Sequence, residues 1–237
     1  MVLNYSIFFM AISAFIGLFI PIIILVFLRK KYNASLKAAL VGAAIFAIFQ
    51  LATRLPLLQY LQKTYWYSYN LVVNPWLIYI LLGLSAGIFE EVGRFVGIKY
   101  FLSGKQQWKN GIAYGIGHGG IEAIIFCGVP LILALINSLT TGIFPIVPSY
   151  MFLISGIERI SAMIFHVGAS LMVLYAVRER KNRYLLYAIL AHGVLDSAIG
   201  FIKGVFFIEL WAAAAALITL CFIIIKIKNN SLEKILS

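Results

Sequence analysis

The chain has 237 residues, 63% of them hydrophobic and only 11% charged, with a mean hydropathy of +1.00, and no ordinary water-soluble surface can be built from that mixture. Nineteen Lys and Arg against eight Asp and Glu leave a net charge of +11, but the excess sits in clusters between apolar runs, where it sets membrane topology and points to no nucleic acid. Cys127 and Cys221 both lie inside apolar runs, so neither a disulfide framework nor a cysteine metal site is indicated.

A bilayer core takes about 20 apolar residues in helical form. The apolar runs predict seven such helices, near residues 5–28, 38–58, 75–102, 110–137, 150–177, 184–201 and 207–226. The first has no basic residue ahead of it; Arg29, Lys30 and Lys31 follow it, so it reads as a retained helix and not as a cleaved signal. In the loops and tails, fourteen Lys and Arg fall on one side of this arrangement. They are Arg29, Lys30, Lys31, Lys37, Lys99, Lys105, Lys109, Arg178, Arg180, Lys181, Arg183, Lys226, Lys228 and Lys234, against Lys63 and Lys203 on the other. That asymmetry predicts an N-terminus outside the cell and a C-terminus in the cytoplasm. Tyr65, Trp66, Tyr67, Tyr69 and Trp76 suit an outer interfacial belt. With no repeat, low-complexity stretch or soluble segment, the expectation is all-α: one integral, multi-pass domain over 1–237 in the cell membrane, a transmembrane helical bundle with its core over 75–201.

Several polar residues fall inside these helices: Glu90, Glu91, Arg94, His118, Glu122, His166, His192 and Asp196, with Arg54, Glu158 and Arg159 nearer the outer ends. An ionisable group at mid-membrane costs about 2.5–3.5 kcal/mol on insertion scales, which marks it as functional by default. For the outer three the reading is snorkelling or a local Glu158–Arg159 contact. Glu90 and Glu91 lie nine and eight residues before Lys99, His118 nine after Lys109, and His192 nine after Arg183, each roughly 13 Å from the basic boundary at 1.5 Å per residue. His166, twelve before Arg178, comes to roughly 18 Å. Four helices therefore converge on one polar layer, expected in the cytoplasmic half. Spacing agrees, because residues four apart share a helix face: Glu90 with Arg94, His118 with Glu122, His192 with Asp196. Glycines at the same interval (Gly83 and Gly87; Gly93 and Gly97; Gly111, Gly115 and Gly119) allow close backbone approach.

Peptide hydrolysis needs an activated water, a stabilised oxyanion and a proton for the leaving amine. Glu90 or Glu91 can serve as general base, histidines can hold the water and donate to the oxyanion, and Asp196 can orient His192. His118, His166 and His192 also form a possible zinc set with an open fourth position, although no His-Glu-x-x-His signature is present. The same groups would equally serve as the proton relay of a proton-coupled transporter, or be kept in an inactive, protease-like membrane scaffold.

The run Glu90-Glu91-Val92-Gly93-Arg94 reads E-E-x-x-R, Tyr114 to His118 an aromatic-x-x-x-H, and His192 to Asp196 H-x-x-x-D, in that order. This set resembles the CAAX prenyl protease and bacteriocin-processing (CPBP) superfamily and the PrsW proteases. The run from Gly115 to Glu122 and the Phe165-His166 pair are most similar to the YhfC branch of intramembrane metalloproteases. The resemblance implies a membrane peptidase acting on a membrane-associated peptide or protein. In it Glu90 and His118 match the water-activating pair, and His192 with Asp196 the oxyanion-stabilising motif. The chain departs from those enzymes at Tyr114, often Phe there, and at Asp196, commonly Asn. Relatives of both metal-dependent and metal-free type leave Zn2+ open.

Overall fold

A computed structural model describes residues 2–228, and Lys234 of the C-terminal basic cluster lies outside them. Eight helices follow in order: α1 (Val2–Tyr32), α2 (Leu36–Gln62), α3 (Tyr65–Val73), α4 (Pro75–Phe101), α5 (Trp108–Thr141), α6 (Tyr150–Arg178), α7 (Arg183–Ile199) and α8 (Val205–Lys228). No strand occurs among the described residues. Local chemistry sets the ends. Asn33 takes a positive φ of 52° after α1, the Thr64 hydroxyl accepts from Tyr67 N–H to cap α3, Pro75 opens α4 where a missing N–H costs nothing, and Gly142 closes α5 in the left-handed region at φ 73°.

Six of these helices, α1, α2, α4, α5, α6 and α8, are long and apolar enough to cross a membrane. The run expected at 184–201 forms α7, whose 17 residues measure about 26 Å, the short end of what a span takes, and lead from the basic loop at Arg183 to the side of α3. It lies antiparallel along α4, with Gly83 against Ser197 and Gly193, and Gly87 against Ile189. The aromatic segment read as a loop is in part the short helix α3, with Tyr65, Trp66 and Tyr69 exposed.

The apolar window of α6 is 72% buried, against 17–39% for the other five, which makes α6 the central post. It runs parallel to α1, where the Ser6 and Ser149 hydroxyls meet at 2.7 Å and Gly156 packs on Ser13. It runs antiparallel to α5, where Gly115 faces Val167 and Gly119 faces Met163. Glycine makes these approaches possible because a Cβ would collide with backbone: on the α2–α5 seam, one at Gly42 would strike the Tyr114 carbonyl and one at Gly117 the Ala39 carbonyl.

Gly117→Val should therefore break the α2–α5 seam. Overpacking against rigid backbone costs about 3 kcal/mol, so its unfolding midpoint in detergent should fall well below wild type, while Leu40→Ser, on an exposed side chain, should leave it within about 0.5 kcal/mol.

Candidate active site

Four helices deliver the polar groups to one place: α4 brings Glu90, Glu91 and Arg94, α5 His118 and Glu122, α6 His166, and α7 His192 and Asp196. The glycines flanking them set the distances. A Cβ at Gly119 would sit 2.9 Å from the His166 ring, so α5 must be bare there for that ring to enter. Rings then pack on rings, with His118 4.7 Å from His166 and 5.1 Å from Phe46, and His192 5.0 Å from Phe165.

Polar contacts run through the cluster as one chain. His118 Nε2 lies 3.0 Å from Glu90 Oε2, and His192 Nε2 lies 3.9 Å from that same oxygen. His192 Nδ1 is 2.8 Å from Glu91 Oε1, and Glu91 is paired with Arg94. Arg94 Nη2 meets His166 Nδ1 at 3.0 Å, and His166 Nε2 meets Glu122 Oε2 at 2.6 Å. Glu122 in turn takes Arg159 Nη1 at 2.8 Å, and Arg159 also pairs with Glu158. Donor rules assign the tautomers. A guanidinium only donates, so His166 Nδ1 accepts and its proton sits on Nε2, donated to Glu122. The Glu91 carboxylate, held by Arg94, accepts from His192 Nδ1–H. His192 therefore turns Nε2 toward Glu90 and toward Asp196, whose Oδ2 is also 3.9 Å away.

Two sequence expectations change here. Asp196 does not orient His192, since 3.9 Å is too long for a hydrogen bond; Glu91, reached only through the fold, does. Arg54, Glu158 and Arg159 are not peripheral. The Glu158–Arg159 contact is present, but Arg159 also reaches Glu122, and Arg54 is only 8% exposed, held by Gln50, Ser85 and the Leu82 carbonyl, so it does not snorkel. The signal that marks Gln50 and Arg54 is backbone form: Ala47–Arg54 winds in π-type turns, with Leu55 N–H bonded to the Gln50 carbonyl, a device frequent at functional sites.

The two adjacent glutamates also part. Glu90 lines a cavity of about 440 Å³; Glu91 is fully buried beneath it. The cavity wall includes Arg54, Tyr79, Gly83, His192, Asp196 and Gly200, so it runs from the cluster toward the α3 side and reaches within about one turn of the ends of α4 and α7 there. Toward the basic loops the cluster is closed by a packed layer of Ile98, Tyr114, Leu171, Leu174 and Tyr175. Sequence depth brought the cluster nearer the basic loops; the cavity opens the other way.

A metal can be considered on the donors themselves. Among the described residues, Glu90, His118 and His166 each offer an atom within 4.8 Å of the other two, wider than the about 3.3 Å edge of a tetrahedral zinc shell, so the three would draw in on binding. The His118 nitrogen that faces Glu90 is Nε2, while Nδ1, on the other edge of the ring, is buried without a partner, the kind of orphan a water or an ion satisfies. The converging set thus holds Glu90 where the sequence reading held His192. His166 would exchange one of its two hydrogen bonds on joining it.

The chain matches the family described as YhfC intramembrane metalloprotease over residues 16–144 and 137–217, a range that contains every residue of the cluster. It is 34% identical to a protein of Bacillus subtilis (strain 168) named "Uncharacterized membrane protein YhfC", over 93% of each chain. No solved structure matches it.

Cavity direction is open to a direct check with single cysteines. Ala162→Cys, on the cavity wall, should react with a membrane-impermeant maleimide from the face that labels Gln62→Cys, at the end of α2, and not from the face that labels Ser103→Cys, in the loop after α4. The opposite pattern would place the opening on the basic side.

Proposed function

The chain belongs to the YhfC intramembrane metalloprotease family, and we propose that it is an intramembrane endopeptidase, hydrolysing a peptide bond of a membrane-embedded or membrane-proximal substrate in this cavity. The observation that carries the reading is the division of labour between adjacent carboxylates. Glu90 stands on the cavity wall against His118, while Glu91, buried behind it, aims His192 at the same space. In this reading Glu90 takes a proton from the attacking water, and His118 fixes its carboxylate. His192 Nε2, 3.9 Å from Glu90, carries the proton onward, stabilises the oxyanion as its protonated form and releases the proton to the leaving amine. Glu91 keeps the ring aligned throughout by holding Nδ1–H, and Asp196 balances the charge gained at Nε2.

Glu90, His118 and His166 are the residues that would hold a zinc ion. Bound there, it would supply Lewis acidity toward a carbonyl and a water. With the N-terminus outside, as the basic loops predict, the α3 side faces out of the cell and substrate enters from that side, not from the cytoplasmic leaflet.

Elemental analysis of purified wild type after a matched chelator wash should find about one zinc per chain. His118→Ala and His166→Ala should lose it, and His192→Ala should keep it. Cleavage of model transmembrane peptides in proteoliposomes, followed by mass spectrometry, should fall by about 10²–10⁴ in Glu90→Gln and in His192→Ala. Zinc lost in His192→Ala would restore the three-histidine set; no metal in a folded, active wild type would leave the water to Glu90 and His118; and undiminished cleavage in Glu90→Gln would overturn the peptidase assignment to this cluster.

A further inference from the structure

Away from the basic ends of the spanning helices, where Arg29 and Arg178 sit, three arginines remain, and two have carboxylates in contact: Arg94 has Glu91, and Arg159 has Glu122 and Glu158. Arg54 has none within 4.0 Å among the described residues. Its Nε donates to Ser85 Oγ at 3.0 Å, Nη1 to Gln50 Oε1 at 3.2 Å, and Nη2 to the Leu82 carbonyl at 2.8 Å. All three acceptors are neutral. A guanidinium carries five N–H donors, so one on each terminal nitrogen remains, enough for a carboxylate to be held by two charge-assisted bonds. The group lines the cavity and is buried, where an unanswered charge is costly. The carboxylates sharing the cavity are otherwise engaged or out of reach: Glu122 and Glu158 hold Arg159, Glu90 holds His118, and Asp196 faces His192.

We propose that Arg54 is a substrate-binding residue whose two remaining N–H groups receive a carboxylate of the peptide, in the cavity that Glu90 lines. The inference rests on the peptidase reading for its register. Arg54 is tied to Leu82 and Ser85, eight and five residues before Glu90 on α4, which is about 8–12 Å along the helix axis. An extended peptide advances about 3.3 Å per residue, so the carboxylate lies two to four residues from the bond presented to Glu90. Leu82, Phe165, Leu195, Ile199 and Ala212 on the same wall take the apolar side chains between. Two sources supply such a carboxylate, the free C-terminus of a short tail and an acidic side chain at that spacing.

The test is binding in lipid nanodiscs on a Glu90→Gln background, where turnover does not interfere. The probes are N-dodecanoyl-triglycine as the free acid, its C-terminal amide, and the amide of N-dodecanoyl-Gly-Gly-Asp. The free acid should bind at least tenfold more tightly than the triglycine amide; Arg54→Gln should reduce that difference below twofold, and Arg54→Lys should keep part of it. Arg54→Met, an apolar replacement of similar length, repeats the loss should the Gln variant fold poorly. Arg54-dependent binding of the Asp amide equal to that of the free acid supports the subsite with an internal acidic residue as its source. Equal binding of acid and amide, or discrimination that survives both Arg54→Gln and Arg54→Met, overturns it. Because this readout needs no cleavage, Arg54-dependent binding beside a protein with Glu90 restored that never cuts would sink the peptidase and leave the subsite standing.

Discussion

The buried pair of Glu91 and Arg94 is the contact on which the rest depends. Both side chains are fully shielded, in a bundle whose surroundings supply no water to solvate them, so each must be answered by protein. Glu91 also reaches His192 on α7, and Arg94 also reaches His166 on α6. One ion pair on α4 thereby registers two neighbouring helices. Removing one member of a buried pair costs about 3–5 kcal/mol because the other is left unanswered, and here the loss would also free two histidine rings. The stability of the layer and the aim of the histidines are one property.

Glycine makes that layer geometrically possible. Helices that carry carboxylates, imidazoles and guanidinium groups toward a shared centre would be held apart by ordinary side chains along the remaining seam. At Gly83, Gly87, Gly115 and Gly119 they are not, and neighbouring backbone or the His166 ring fills the place a Cβ would take. The polar contacts of about 3 Å exist because apolar contacts on either side of them are equally close. The segment from Gly115 to Gly120 around His118 is therefore structural and chemical at once.

Between the two glutamates, position on the helix separates support from reaction. Adjacent residues point about 100° apart; with Glu91 turned into the packed interior, Glu90 falls on the cavity. The same asymmetry holds along the membrane normal. A layer of Tyr114, Ile98 and the second half of α6 closes the basic side, while on the other side Arg54, Tyr79 and Gly200 line open space. Depth and access are different properties: a group can lie nearer one surface and be reached from the other.

Much of this was legible from residue order. Hydropathy gave the helical bundle and the position of all six of its long spans, because a bilayer demands length and apolarity in a form that shows along the chain. The i to i+4 pairs and the shared depth of Glu90, His118, His166 and His192 gave the polar layer, because helical periodicity and rise convert sequence distance into face and height. What needed the tertiary structure were relations between helices. That Glu91 and not Asp196 orients His192, that Glu90 joins His118 and His166 in place of His192, that Arg159 reaches Glu122 and Arg54 turns inward on a π-type segment, and that the cavity opens toward α3 all depend on rotation and packing of one helix against another. One sequence gives each helix its faces; only packing decides which faces meet.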